Sequence, residues 1–172
     1  FESEEFDKEF YYKGELGNIY TEKSTTFRVW SPVASKVILK LYENDGYDNQ
    51  CNDKPFDEYI MEYKEKGVWE IVVESNLKDK YYTYELHFNN IKAEDKEKNI
   101  DAVNYRYVTN GDTVIKETAD MYGKASGRNG LRTMIVDLEE TNPHGWDVDA
   151  KPELKKYTDA IIYESHVRDF SA

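Results

Sequence analysis

Cysteine, glycine and proline are scarce in this sequence, and a long apolar run is absent. Cys51 is the single cysteine, which excludes an internal disulfide and a metal site built from several cysteines. No apolar run reaches the roughly 20 residues that a transmembrane helix needs. The opening residues, FESEE, are acidic and do not resemble a signal peptide, so the compartment, bacterial cytoplasm or exterior, is left open.

Positive charge is also in short supply. The chain has 23 Lys and Arg against 35 Asp and Glu, which gives a formal net charge of -12. Such a surface repels phosphate backbones and anionic lipid headgroups at long range. We therefore expect neither nucleic acid nor a membrane as a partner.

Aromatic residues are abundant and the hydrophobic pattern is that of strands. They form 15% of the chain, whereas Gly and Pro number 9 and 4, a composition that favours strands. Alternation with a period of two predicts strands, and turn signals between them predict two hairpins, one around residues 65–67 and one at Asn110-Gly111. The predicted strands are residues 25–30, 36–42, 59–64, 67–73, 80–88, 105–109 and 112–116. Short, closely spaced strands indicate an antiparallel sandwich, with the charged stretch 91–100 as an insertion.

Residues 43–55 (ENDGYDNQCNDKP) are rich in Asp, Asn and Gly and predict a loop. Their oxygen-bearing side chains would suit a calcium ion, but their spacing does not match the helix-loop-helix calcium motif. An ordinary polar loop is the simpler interpretation. We expect no metal and no cofactor.

The end of the chain concentrates residues that are able to carry chemistry. Tyr163, Glu164, His166, Arg168 and Asp169 lie within seven positions and include proton-transfer side chains. The run 160–163 before them is continuously apolar, which is typical of a strand buried on both faces in a parallel sheet. At the end of the sequence, the pattern thus changes from the alternation of an antiparallel sandwich to the continuous apolar run of a parallel-sheet strand.

Four blocks together resemble the N-terminal part of a type I pullulanase, a debranching enzyme of the α-amylase clan. The most specific block is MIVDLEETNPHGW at 134–146, which leads into DAIIYESHVRDFS at 159–171. The other blocks are GELGNIY at 14–20, TFRVWSP with ASKVILKLY at 26–32 and 34–42, and GVWE with YYTYE at 67–70 and 81–85.

The resemblance implies a mainly β fold of three parts. Residues 1–120 would form an immunoglobulin-like antiparallel β-sandwich of the carbohydrate-binding module family 48 type. Residues 121–158 would form a connector, and 159–172 would hold the first strand of a (β/α)8 catalytic barrel. The parent enzyme would be a glycoside hydrolase that cleaves α-1,6-glucosidic links of pullulan, starch or glycogen dextrins.

The resemblance also bears on catalysis and partners. In this family the catalytic carboxylates lie on later barrel strands, and a retaining glycosidase needs two of them roughly 5 Å apart. We therefore expect no catalytic residue in this chain and no activity from it alone. Its expected partners are α-glucan polysaccharide and the catalytic barrel of the same polypeptide. The alternative is an immunoglobulin-like surface or adhesion module with no role in sugar metabolism.

Several aromatic residues are candidate sugar platforms, since a flat apolar ring stacks on a glucose unit. Trp69 shares its strand face with Ile71 and Val73, which favours a place in the core. Trp30 falls opposite Phe27 and Val29 and is the better exposed candidate. The full set of carbohydrate-binding candidates is Trp30, Tyr42, Tyr47, Trp69 and Tyr81. For the polar cluster at 163–169 we expect charge pairing that anchors the barrel strand, with direct substrate contact as the second interpretation.

Overall fold

The computed structural model describes residues 3–48, 52–89, 106–109, 112–151 and 153–170. It divides into two compact units, Phe1–Leu138 and Glu139–Ala172. The insertion predicted at 91–100 and the turn predicted at Asn110-Gly111 lie outside the described residues. Within the described ranges, no helix is long and apolar enough to cross a bilayer.

In its described residues, the first unit contains one short α-helix and a set of mostly short strands. The helix α1 is Glu4–Phe10, and the strands are β1 (Gly17–Tyr20), β2 (Thr25–Trp30), β3 (Lys36–Tyr42), β4 (Asp57–Ile60), β5 (Glu62–Tyr63), β6 (Val68–Val73), β7 (Tyr81–Phe88), β8 (Arg106–Thr109), β9 (Asp112–Thr118), β10 (Ala125–Ser126) and β11 (Thr133–Met134). The predicted strands at 25–30 and 36–42 match β2 and β3 residue for residue.

The strands form two antiparallel sheets. The first sheet has the order β1-β2-β6-β5. The second has the order β10-β11-β7-β3-β4, with β9 pairing along the second half of β7 and β8 pairing with β9. This mainly β, two-sheet architecture confirms the predicted immunoglobulin-like sandwich.

The core lies between the sheets and is built from alternate residues of their inner faces. Phe27 and Val29 of β2 face Leu39 of β3 and Tyr82 of β7, and all four are buried. The Phe27 and Tyr82 rings meet edge to face with their centroids 4.9 Å apart. Fully burying a side chain of this size contributes about 1.5–3 kcal/mol, so these positions stabilise the packing of the two sheets.

The predicted strand 59–64 was wrong in one respect, because it is two strands in different sheets. β4 pairs with β3 up to the Ile38–Ile60 pair, whereas β5 pairs with β6 beginning at Glu62. Met61 lies between them, is 2% exposed, and donates its backbone N–H to the Val37 carbonyl over 2.9 Å. The chain therefore passes from one sheet to the other at Met61, whose side chain enters the core at the crossing.

The helix α1 was not predicted from the sequence. Ser3 caps it, since its hydroxyl accepts the Phe6 N–H over 3.2 Å, and acidic residues fill the first turn, where the helix dipole favours them. Phe6 meets the Trp30 ring edge to face, with centroids 6.3 Å apart. The helix is thus attached to the end of β2.

The second unit has little regular structure. It contains three 3-10 turns and the single helical turn α2 (Val167–Phe170) in its described residues. Residues 160–164, for which the resemblance implies the first strand of a barrel, have no strand partner in the described part of the chain. The barrel strand therefore stays a prediction, as do the boundaries of the connector.

Candidate functional site

The loop that follows β3 presents Tyr47 on a rigid turn. The Asn44 side-chain oxygen accepts the Gly46 N–H over 2.8 Å, and a carboxylate oxygen of Asp45 accepts the Tyr47 N–H over 3.1 Å. Gly46 has φ 78°, a left-handed conformation that favours glycine. These local bonds hold the Tyr47 ring outward, and the residue is 44% exposed.

Arg128, from the turn before β11, completes this feature. Its Nε lies 2.6 Å from Asp45 Oδ2 and its Nη2 lies 2.8 Å from Asp48 Oδ2. Its guanidinium carbon lies 4.5 Å from the centroid of the Tyr47 ring. We call Asp45, Tyr47, Asp48 and Arg128 the Tyr47 site.

The charges of the Tyr47 site reinforce one another. The hydrogen bond from Arg128 holds the pKa of Asp45 well below its usual range, against the opposing effect of burial. The same bonds raise the pKa of Arg128. Both groups therefore stay ionised near neutral pH, and a neutral, hydroxyl-rich ligand would find acceptors and donors beside an aromatic ring.

The close approach of two loops creates this pairing. A β-carbon added at Gly127 would lie 2.5 Å from the Asp45 β-carbon, closer than two side chains can come. Gly127 therefore allows the 127–130 turn to reach the 43–48 loop. Without that contact, Arg128 could not span Asp45 and Asp48.

A second arginine supports the loop from below. Arg132 is 0% exposed and makes paired bonds to Asp53, with Nη2 2.7 Å from Oδ1 and Nη1 2.9 Å from Oδ2. It also donates to the Asn44 carbonyl over 3.1 Å and to Glu117 over 3.3 Å. Burial acts to lower the pKa of Arg132, but its bond to Asp53 and the charge of Glu117 outweigh that effect and raise the pKa. Both ends of the 43–55 loop are thus tied to one cation.

The three aspartates of this loop are paired with arginine. Asp45 and Asp48 accept from Arg128, and Asp53 accepts from Arg132. In the part of the chain that the structure describes, no group of three metal-ligating side chains converges. The carboxylates that suggested calcium in the sequence serve as partners for guanidinium groups.

The predicted sugar platforms divide into two groups. Tyr42, Tyr47 and Tyr81 lie at the end of the sandwich where β3 finishes, since Tyr42 pairs with Tyr81 across β3 and β7. Of these, Tyr42 is only 2% exposed, so its ring is not accessible to a sugar, and Tyr81 is half-buried.

The two predicted tryptophans lie elsewhere. Trp69 is 7% exposed and belongs to the core, where its Nε1 donates to the Ser31 carbonyl over 3.0 Å. Trp30 is half-buried and donates its Nε1 to the carbonyls of Phe10 and Lys66, each over 3.0 Å. The ring of Trp30 therefore lines a depression next to α1, away from the Tyr47 site.

The polar cluster of the second unit is loosely assembled. His166 Nδ1 lies 3.9 Å from Asp169 Oδ2, and the Tyr163 ring centroid lies 6.2 Å from that of Phe170. Glu164 and Arg168 are exposed, as are the other members of the cluster. The geometry brings together no pair of carboxylates there, and the role of these residues stays a prediction.

Sequence reasoning missed Arg128 and Arg132. Both lie in the segment ASGRNGLR, which the resemblance assigned only to the connector. The available signal was the presence of two arginines close to Gly127 and Gly130 in an acidic chain that also has an acid-rich loop at 43–55. Pairing across about 80 positions cannot be inferred from local pattern alone.

The chain is similar to known proteins of one family. The model of the family carbohydrate-binding module 48 (isoamylase N-terminal domain) matches residues 15–123. A pullulanase from Bacillus subtilis (strain 168) is 31% identical over 166 residues, which are 96% of this chain and 18% of that protein. Pullulanase 1, chloroplastic, from Arabidopsis thaliana is 29% identical over 177 residues, covering 96% of this chain and 15% of that protein.

The solved structures that resemble this chain include further pullulanases. A crystal structure of the pullulanase from Paenibacillus barengoltzii in complex with maltohexaose and α-cyclodextrin superposes with a TM-score of 0.72 at 34% identity, covering 98% of this chain and 22% of that one. The pullulanase from Bacillus acidopullulyticus gives a TM-score of 0.69 at 33% identity, covering 94% of this chain and 16% of that one.

The chain spans less than one fifth of the length of the Bacillus subtilis and Arabidopsis thaliana relatives that it matches. The family model covers more than half of the chain, from β1 to the turn that follows β9. Its two-sheet fold agrees with that match. The chain therefore belongs to the carbohydrate-binding module 48 family.

Proposed function

We propose that this chain is the family 48 module of a pullulanase-type glycoside hydrolase, and that it holds α-glucan chains at the Tyr47 site. The observation that carries the proposal is Tyr47 itself, an exposed ring backed by Arg128 at 4.5 Å and flanked by Asp45 and Asp48, which both pair with Arg128. A sugar needs an apolar ring for its C–H face and charged hydrogen-bonding groups for its hydroxyls. The Tyr47 site offers both on one rigid turn.

The whole enzyme would act on α-1,6-glucosidic links of pullulan, starch or glycogen dextrins. In this proposal the module supports the catalytic barrel of the same polypeptide and keeps branched substrate close to it. Tethering of this kind raises the effective concentration of substrate at the active site without any new catalytic group. The support for this part is the similarity to pullulanases along 96% of the chain.

The chain alone would hydrolyse nothing, because a retaining glycosidase needs two carboxyl groups about 5 Å apart on a rigid scaffold. The acidic residues of the Tyr47 site are both bound to Arg128, and that bond holds the pKa of Asp45 low, which makes Asp45 unsuitable as a proton donor. A reducing-sugar assay on the purified chain with pullulan checks this, and turnover above the blank would contradict it.

Native affinity electrophoresis tests the binding itself. Glycogen or amylopectin in the gel should retard the wild-type chain, and Tyr47→Ala should migrate as in a gel without polysaccharide. Tyr157→Ala is the matched control, since Tyr157 is 98% exposed in the second unit and has no place in the proposal. Equal retardation of Tyr47→Ala and the wild type would reject the Tyr47 site. An unretarded wild type would reject glucan binding and leave a module whose role is to support the catalytic barrel.

A further inference from the structure

A pocket lies where α1 meets the sandwich. Its volume is about 510 Å³, within the range of roughly 300–1,000 Å³ that is usual for small-ligand pockets. Three stretches of the chain form its wall: α1 with the segment that follows it, the end of β2, and the turn after β9. The residues that matter for its chemistry are Phe6, Asp7, Phe10, Tyr12, Trp30 and Tyr122.

The aromatic wall of this pocket is held in place by hydrogen bonds and ring contacts. Trp30 donates its Nε1 to the Phe10 carbonyl, which ends α1, and to the Lys66 carbonyl, which precedes β6. Phe6 meets Trp30 edge to face at 6.3 Å and Phe10 at 4.7 Å. Trp30, at the end of β2, therefore links the helix to the segment that precedes β6, and its ring is positioned before any ligand arrives.

The opposite wall is fixed by close backbone packing. Gly17 has φ 89°, and a β-carbon added there would lie 2.5 Å from the Tyr122 carbonyl oxygen. The Tyr122 N–H is bonded to the buried Asp120 carboxylate over 2.8 Å. Tyr122 is thus anchored through its backbone, which leaves its side chain to line the pocket.

The polar groups of the pocket select against anions. Asp7 contributes a carboxylate, Tyr12 and Tyr122 contribute phenol groups, and none of the lining residues is a lysine or an arginine. A phosphate or carboxylate ligand would meet a negative charge without a compensating cation, in a chain of net charge -12. A neutral ligand with hydroxyl groups and apolar faces satisfies both the rings and the carboxylate.

We infer that this pocket, which we call the α1 pocket, is a second α-glucan site that accepts a segment of a few glucose units. That the ligand is a glucan rests on the proposed function, whereas the presence of a second binding site rests on the pocket itself. The α1 pocket lies at the end of β2, whereas the Tyr47 site lies in the loop that follows β3, so the two sites are built from different residues. Two separate sites would let one module hold two branches of the same polymer.

Isothermal titration of the full chain with maltotriose tests the inference. We expect two sites per chain in the wild type. Tyr122→Ala removes a ring of the α1 pocket and keeps the anchored backbone, and it should leave one site. Tyr47→Ala should also leave one, and the double variant should leave none, each lost site corresponding to a fall in affinity of roughly tenfold or more.

Tryptophan fluorescence supplies a second readout. Trp69 is buried in the core and Trp146 lies in the second unit, so maltotriose in the α1 pocket should change the emission of Trp30. The change should persist in Tyr47→Ala and be lost in Tyr122→Ala. Asp7→Asn, an exposed change on the helix surface, should weaken the same signal even if Tyr122→Ala proves unstable.

The possible outcomes separate the two proposals. One site that Tyr47→Ala abolishes, with no effect of Tyr122→Ala or Asp7→Asn, overturns the α1 pocket and leaves the proposed function intact. One site lost in Tyr122→Ala but kept in Tyr47→Ala supports the α1 pocket and rejects the Tyr47 site. No binding of maltotriose at all overturns both.

Discussion

The guanidinium carbon of Arg132 lies 3.5 Å from the centroid of the Tyr42 ring, with both side chains buried. Stacking and the paired bonds to Asp53 both exploit the flat, forked shape of arginine, which lysine lacks. The contact explains why Tyr42, which the sequence indicated as a candidate sugar platform, is 2% exposed. It also places a buried cation directly beneath the loop that carries Tyr47.

Arg132→Lys should therefore destabilise the domain although it keeps the charge. Lysine cannot make the paired bonds to Asp53 or cover the Tyr42 ring, and breaking a buried ionic network typically costs about 3–5 kcal/mol. We expect the urea midpoint to fall accordingly. Arg128→Lys is the matched control, because the Arg128 side chain is 53% exposed and should cost less than about 1 kcal/mol. Equal losses in the two variants would contradict the buried role of Arg132.

Arg128→Gln should separate binding from stability. The proposal at the Tyr47 site requires a cation that fixes Asp45 and Asp48 beside the ring, and glutamine cannot span both carboxylates. Retardation by glycogen in native gels should therefore fall several-fold, while the free energy of unfolding changes by less than about 1 kcal/mol, as is usual for an exposed ion pair. Arg168→Gln, an exposed substitution in the second unit, should change neither property. Unchanged retardation of Arg128→Gln would show that Arg128 is not needed for the sugar.

A buried ion pair crosses the outer face of the second sheet. Lys40 Nζ lies 2.5 Å from Glu85 Oε2, and His87 Nε2 lies 2.7 Å from Glu85 Oε1. Burial acts to raise the pKa of Glu85, but the bonds to Lys40 and His87 outweigh it and lower the pKa. Glu85 is therefore a carboxylate that depends on its partners.

Lys40→Met should destabilise the sandwich more than removal of the whole pair. The single change leaves Glu85 buried without its main cation, at a cost of about 3 kcal/mol or more, whereas Lys40→Met with Glu85→Met replaces the pair by packed apolar groups and should recover most of that loss. Urea unfolding of the two variants and of Glu85→Met completes a double-mutant cycle. Additive effects of the two single changes would mean that the pair carries no coupling.

The sheet pattern could be predicted from sequence because local alternation encodes it. β2 and β3 were predicted to the residue, since a period of two that ends at Pro32 or at the Asn/Asp loop leaves little freedom. The crossing at Met61 was missed, because alternation continues through 59–64 and does not record which sheet each half joins. The sequence pattern therefore predicts where a strand lies better than it predicts which strand it pairs with.

The candidate site could be predicted only in part, and for a similar reason. Tyr47 was a candidate because it is an aromatic residue in a polar loop, yet its cation comes from Arg128, 81 positions away. Tyr42 was also a candidate as an aromatic residue, but it is buried and packs against Arg132, which was not foreseen. Long-range pairs between loops have no local signature, so the supporting arginines had to come from the structure.

The buried carboxyl of Asp120 gives the domain a pH dependence of a definite sign. Asp120 Oδ2 accepts from the Tyr82 hydroxyl over 2.8 Å and from the Tyr84 hydroxyl over 3.3 Å, and the residue is 8% exposed. Burial raises its pKa above the ordinary value of 3.8, although its hydrogen bonds act in the other direction. The folded state thus holds this proton more tightly than the unfolded chain does.

Because the pKa of Asp120 is higher in the folded state than in the unfolded state, its protonation stabilises the fold at a pH below the unfolded-state pKa. This contribution is lost as the pH rises through the folded-state pKa. The free energy of unfolding of the wild type minus that of Asp120→Asn should therefore be largest at about pH 3.5 and decline toward about pH 7, as measured by urea unfolding. Asp45→Asn is the opposing control, because Arg128 lowers the pKa of Asp45 and the corresponding difference should grow with pH. A difference for Asp120→Asn that rises with pH would mean that the hydroxyls of Tyr82 and Tyr84 outweigh burial and that the Asp120 carboxylate is the preferred folded form.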